Sequence, residues 1–186
     1  MKIISIGDLV LDYYYNNGKL LGINGGMSSH NIVANLANLG LDTAVIGVCG
    51  NDSAGKIAIK SLEDLNVDTS NIKKVKNLNT RCFHINRLES DFTSKKRCPI
   101  CNKKEWYEDS QINLETVLEL ISKDDIVVLD NLNKINQTII NKMNNKIMLD
   151  LGQYYELENY SDNKIKSIFK NHFTIININA RVETYL

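Results

Sequence analysis

Two carboxylates follow the first apolar run of the chain, in Gly7-Asp8-Leu9-Val10-Leu11-Asp12, and a glycine pair, Gly25-Gly26, precedes a helical pattern that carries Asn31. These residue types suit a ligand rich in hydroxyls. A carboxylate at Asp12 accepts hydrogen bonds from alcohols, and an asparagine amide both donates and accepts. Paired glycines let the backbone approach a ligand closely, and the N–H groups at a helix start favour oxygen-rich groups. Each residue also has an ordinary reading, the glycine pair as a turn and Asp12 as a surface carboxylate. The residue types alone leave both open.

Three further patterns could carry chemistry. Cys98-Pro99-Ile100-Cys101 has the spacing that grips one zinc ion, and Cys82 and His84, two apart on a putative strand, could complete a four-ligand set. Such a site would stiffen its segment, since four protein ligands leave no open position. Two free thiols in a loop is the other reading. Gly50-Asn51-Asp52-Ser53-Ala54-Gly55-Lys56 has the spacing of a phosphate-binding loop. However, Ile57 stands where magnesium binding needs a hydroxyl, and Asp52 would repel phosphate, so this stretch reads as a turn. Tyr13, Tyr14 and Tyr15 could stack on a ligand, but consecutive aromatics more often pack on alternate faces of a strand.

The elements that must position these groups alternate between short apolar runs and helical stripes. Lys2 to Ile6, Thr43 to Cys49, Ile126 to Leu129, Ile147 to Leu149 and Phe173 to Ile176 read as buried strands. Between them, Ile32, Val33, Leu36 and Ala37 share a helix face that Gly40 ends, and Ser53 can cap a helix bearing Ala54, Ala58, Leu62 and Leu65. Further stripes run through Leu114, Val117, Leu118 and Ile121, then Ile135, Ile139, Ile140 and Met143, then from Asp162 through Ile165, Ile168 and Phe169. Uninterrupted apolar strands bounded by helices predict an α/β fold with a mostly parallel sheet covered on both faces. Two stretches break this rhythm, approximately 13–24 and 76–109, and read as a lid or insert; the second holds one strand, Arg81 to Asn86, and the cysteine pair.

Composition narrows the function classes. In 186 residues, 22 lysines and arginines balance 22 acidic residues, which gives no basic excess for nucleic acid. No apolar run approaches the ~20 residues that span a bilayer. Asp8 comes too early for a signal peptide, so a cytoplasmic location with reduced cysteines is the expectation.

The arrangement IGDLVLD, then GG, then Asn31 followed by LANLG, then VIGVCGNDSAGK, then Asn66-Val67-Asp68, resembles the opening of the PfkB family of ribokinase-like carbohydrate kinases. The resemblance implies a three-layer α/β/α fold, incomplete here, with a small β lid. It implies that Asp12 binds substrate hydroxyls and that Gly25, Gly26 and Asn31 line the sugar pocket. Four residues separate Gly26 from Asn31, one more than usual in the family, so His30 could occupy the asparagine's place. Asn179 and Glu183 resemble the family motif that helps organise magnesium and phosphate, with spacing again one residue long. The family's D-T-x-G-A-G-D segment, with its catalytic aspartate, does not occur in the sequence. The expectation is therefore an ATP- and magnesium-dependent sugar kinase of which this chain is the sugar-binding half, inactive alone and with no catalytic residue of its own. A homodimer through the lid would fit the family. The alternative is a non-catalytic sugar-binding or zinc-stabilised interaction module.

Overall fold

The computed structural model describes residues 1–88, 91–95, 112–150, 161, 163, 166 and 173–177. In chain order the elements are β1 (Ile3–Asp8), β2 (Val10–Asn16), β3 (Lys19–Gly26), α1 (Ser28–Asn38), β4 (Thr43–Gly50), α2 (Ser53–Glu63) and β5 (Asp68–Val75). They continue with β6 (Arg81–Leu88), β7 (Asp91–Lys95), α3 (Leu114–Leu120), β8 (Ile126–Leu129), α4 (Lys134–Lys142), β9 (Lys146–Asp150) and β10 (Phe173–Asn177).

Six strands form a parallel sheet in the order β10-β9-β8-β1-β4-β5. Side chains alternate across it, so each strand feeds two cores. Ile4, Ile6, Val127, Leu129, Ile147 and Leu149 pack against Val117 of α3 and Ile139 and Ile140 of α4. Ile3, Val45 and Val128 face the other way, onto Val33 of α1 and Ala54, Ala58 and Leu62 of α2. All eight residues of β4 are buried, as expected of a strand with helices on both faces. This is the predicted three-layer arrangement.

A second sheet, ordered β3-β2-β6-β7, occupies the two stretches that break the sequence rhythm. β2 and β3 make an antiparallel hairpin closed by Asn17 and Gly18, both at positive φ, 46° and 75°. Asn-Gly suits a tight turn of this kind because both residues enter the left-handed region at low cost. β6 joins β2 in parallel, pairing Leu11 with Cys82 and Tyr13 with His84. One face of this sheet is sealed, since Leu11 and Cys82 belong to the same core as α2.

One local expectation needs correction. Asp52, rather than Ser53, caps α2, because its carboxylate reaches back to the Gly55 N–H at 2.8 Å while Ser53 is already helical. β5 continues the parallel sheet although its sequence reads as polar; it is an edge strand, and several of its side chains are exposed. The helix expected from Asp162 lies outside the described residues.

Candidate functional site

Side chains gather where strands of the parallel sheet end. Gly7 and Asp8 close β1, Asp130 follows β8, and Met27 leads into α1, while Asn133 caps α4 with its side chain accepting from the Asn136 N–H. Together with Arg81 at the start of β6, they line a cleft of about 920 Å³. In α/β sheets this end collects ligands, because loops and helix N-termini converge there.

The cleft floor is built from hydrogen bonds. Asp130 is 8% exposed. Its Oδ2 accepts from the Ser29 hydroxyl at 3.1 Å, and its Oδ1 from the Asn131 amide at 2.8 Å. His30, 2% exposed, ties α1 to β1. A carbonyl can only accept, so His30 Nε2 donates to the Asp8 carbonyl at 3.2 Å, which leaves Nδ1 to accept from the Ser5 hydroxyl at 2.8 Å. Burial pushes its pKa down to about 4 against the smaller opposing pull of the Asp8 carbonyl, so the ring is neutral near pH 7.

The second sheet contributes Asp12, 6% exposed. Burial raises its pKa above the ordinary carboxylate value, and a hydrogen bond from the Tyr14 hydroxyl at 3.1 Å partly opposes this. The Tyr14 phenol is itself pushed up to about 12, first by burial and then by the Asp12 charge, so it stays a donor at neutral pH. Asp12 and Tyr14 alternate with Leu11 and Tyr13, placing them on the face away from α2. Arg81, which lines the cleft, pairs with Val10 on that same face.

The two glycines of the pair do different work. A side chain at Gly26 would overlap the Asp12 carboxylate, so the structure brings Asp12 and Gly26 together. A side chain at Gly25 would instead meet Ser61 and the Ala58 carbonyl of α2, and the Gly25 N–H donates to the Ser61 hydroxyl at 3.1 Å. Asn31 is exposed and borders a small crevice between α1 and α2 that also touches Asn24 and Gly25. Met27 takes φ 82° and ψ 139°, a conformation normally left to glycine, and the helix starts at a phase that turns His30 inward.

The other sequence candidates divide. Cys82 is buried in the α2 core with its thiol 3.5 Å from the Thr80 carbonyl, and the His84 ring stacks between Tyr13 and Tyr15, 5.2 Å from each. Both therefore have structural employment. Cys98 and Cys101 lie outside the described residues, as do Asn179 and Glu183. Among the described residues no group of three or more His, Cys, Asp or Glu side chains is placed to hold a metal ion. The Gly50 loop holds parts of its own chain: Asp52 accepts from Gly55 N, Thr80 N and Thr80 Oγ1 at 2.7–2.8 Å, and Gly50 N donates to Thr80 Oγ1 at 3.0 Å. Asp130 was the residue missed from the candidate set. Its signal was present, a carboxylate directly after the apolar strand Ile126 to Leu129.

Known proteins resemble the chain in fold. An uncharacterized sugar kinase from Pyrococcus horikoshii superimposes with a TM-score of 0.64 at 21% identity, over 89% of this chain and 60% of that one; its structure has also been solved in complex with ATP. A ribokinase from Thermotoga maritima gives 0.58 at 15% identity, over 88% and 56% of the two chains. A putative 2-keto-3-deoxygluconate kinase from Enterococcus faecalis gives 0.59 at 16% identity, over 88% and 50%. The chain thus spans about 50–60% of the length of these structures. No curated protein sequence matches it. The model of the pfkB family carbohydrate kinases matches residues 23–151, more than half of the sequence and the whole of the stretch from β4 to β9, and on that match the chain belongs to the pfkB family of carbohydrate kinases.

Proposed function

We propose that this chain binds the sugar substrate of a kinase that transfers the γ-phosphoryl group of ATP to a sugar hydroxyl. The observation that carries this is the packing of the Asp12 carboxylate against the bare backbone of Gly26, on the sheet face shared with the cleft residue Arg81. Asp12, with Tyr14 behind it, accepts hydrogen bonds from the polyol. Asp130 and Asp8 present further acceptors from the cleft floor. Gly26 leaves room for the Asp12 carboxylate, and Gly25 holds the hairpin on α2. Asn31 stands at the outer rim in this reading, and the second sheet acts as a lid over the cleft.

ATP and magnesium belong to the complete enzyme, where the metal would neutralise phosphate charge; Asn179 and Glu183 are the residues of this sequence proposed for that side. Phosphoryl transfer depends on positioned groups around the transferred phosphate, and the sequence has no D-T-x-G-A-G-D segment to supply them. Sugar binding is the part of this reading that can be measured on the chain directly. Calorimetry with D-ribose and 2-keto-3-deoxygluconate as probes tests it: at least one should bind, and Asp12→Asn should weaken it about tenfold or more. Binding of neither probe would sink the reading.

The lid reading also extends to a second copy of the chain. The edge strand β3 exposes Leu20, Leu21 and Ile23 on an unpaired side of the second sheet, and such edges invite pairing. Analytical ultracentrifugation should find a dimer that Leu21→Lys dissociates.

A further inference from the structure

Ser29 is fully buried in the first turn of α1, yet its hydroxyl is spent on a carboxylate that faces the cleft. From the opposite side Asn131 donates to the other oxygen of Asp130. Asn131 is itself fixed, because its Oδ1 accepts from Asn136 Nδ2 and from Asn133 N, both at 3.0 Å. Asn136 is buried, and its amide also reaches the Asn131 carbonyl at 3.1 Å. Each Asp130 oxygen thus has a protein donor, one on the buried face of the helix after the Gly25-Gly26 pair and one on the cleft-lining turn that opens α4.

We propose that Ser29 and Asn131 are positioning residues that orient the Asp130 carboxylate toward the sugar in the cleft. This rests on the sugar-binding reading above. The physical basis is preorganisation. A carboxylate whose oxygens each accept an inward hydrogen bond loses its freedom to rotate before substrate arrives, so less entropy is lost on binding. Ionised oxygens accept about two hydrogen bonds each, so orienting bonds from inside are compatible with bonds to the ligand. Donation to a carboxylate favours its charged, accepting form. Placement strengthens the assignment: Ser29 lies two residues after the strained Met27, so the segment that carries Gly26 also fixes Asp130.

The test compares Ser29→Ala, Ser29→Thr and Asn131→Ala with the unaltered chain. Carbon-13 NMR titration of the Asp130 carboxyl reads its ionisation without any sugar, and calorimetry with D-ribose and 2-keto-3-deoxygluconate reads affinity. Ser29→Ala and Asn131→Ala should each raise the Asp130 pKa and weaken sugar binding about tenfold, the worth of one hydrogen bond to a charged group, while Ser29→Thr restores both. Asn131 is only partly buried, so its variant keeps the test open should Ser29→Ala fail to fold. An unchanged Asp130 pKa in both alanine variants would overturn the proposal. So would a raised pKa with unchanged affinity, because the bonds would then serve only to join α1 to β8. If the unaltered chain binds neither sugar, the sugar-binding reading fails and takes this inference with it, even where the titration shows the Asp130 pKa to move.

Discussion

The end of the parallel sheet where its strands begin and the second sheet use carboxylates in opposite ways. At the end where strands begin, Asp125 accepts from the Lys2 and Ser122 backbone N–H groups at 2.7 and 2.9 Å, and the Asn145 amide closes the turn on the Asp125 and Ser122 carbonyls at 2.9 and 2.8 Å. Asp68 there accepts from Ser70 and the Lys2 ammonium, in that order of weight, and is held down to about 2. In β2 of the second sheet Asp12 is buried, raised in pKa, and supported chiefly by a neutral phenol. Stability uses carboxylates that already have cations or backbone donors. A binding site keeps one that still gains from a new donor.

Five measurements would break or sharpen that contrast. The largest effect should come from His30. Its folded pKa of about 4 lies below the ordinary 6.5, so the unfolded chain binds more protons in that window. Stability should fall by on the order of 3 kcal/mol as pH drops from about 6.5 to 4. Urea unfolding across this range measures the slope, and His30→Gln should flatten it. Asp125→Ala comes next. It strands two backbone donors at the quiet end of the sheet, and should cost about 2 kcal/mol with sugar affinity unchanged; a loss of affinity would break the division between the two regions.

Asp12→Asn should reverse that pattern. A raised folded pKa means that the charge is unfavourable in the folded state, and this cost grows as pH rises past the ordinary carboxylate value. The variant should therefore unfold at equal or higher temperature near pH 7 even as it loses sugar. Lower stability would show that the site carboxylate is structural after all. Met27→Gly should relieve the strained φ and raise stability by about 1 kcal/mol, visible as a higher melting temperature. The smallest effect belongs to Asp68→Asn. The Asp68 side chain is 36% exposed, and solvent screening limits it to about 0.5 kcal/mol. That contribution is complete above pH 3.8 and disappears as pH falls through about 2, so acid titration of the variant and the parent should converge there.

The legible parts of this fold were those where burial decides the sequence. β1, β4, β8 and β9 are continuous apolar runs because both faces are covered, and α1, α2 and α4 show a stripe toward the sheet. β5 was not legible, since an edge strand with one side in water needs no apolar run. The hairpin of β2 and β3 was open to reading from Asn17-Gly18, but Tyr13–Tyr15 and Gly22 hide the alternation. Asp12 and Gly26 could be proposed as candidates because a carboxylate after an apolar run and a glycine pair are local features. Asn31 could not be placed because successive helix positions differ by about 100°, so which of His30 and Asn31 turns inward depends on where the helix starts, and spacing in the sequence does not encode that.

The loop that imitates a phosphate cradle has an outcome of its own. Thr80, grasped by Asp52 and Gly50, immediately precedes β6 and Arg81, and bare Cα positions at Gly50 and Gly55 give it room. The stretch thus anchors one of the covalent crossings into the second sheet. Damage at either glycine would be felt in the second sheet, as a loosened attachment of β6, although its lettering would tempt an observer to record a nucleotide defect.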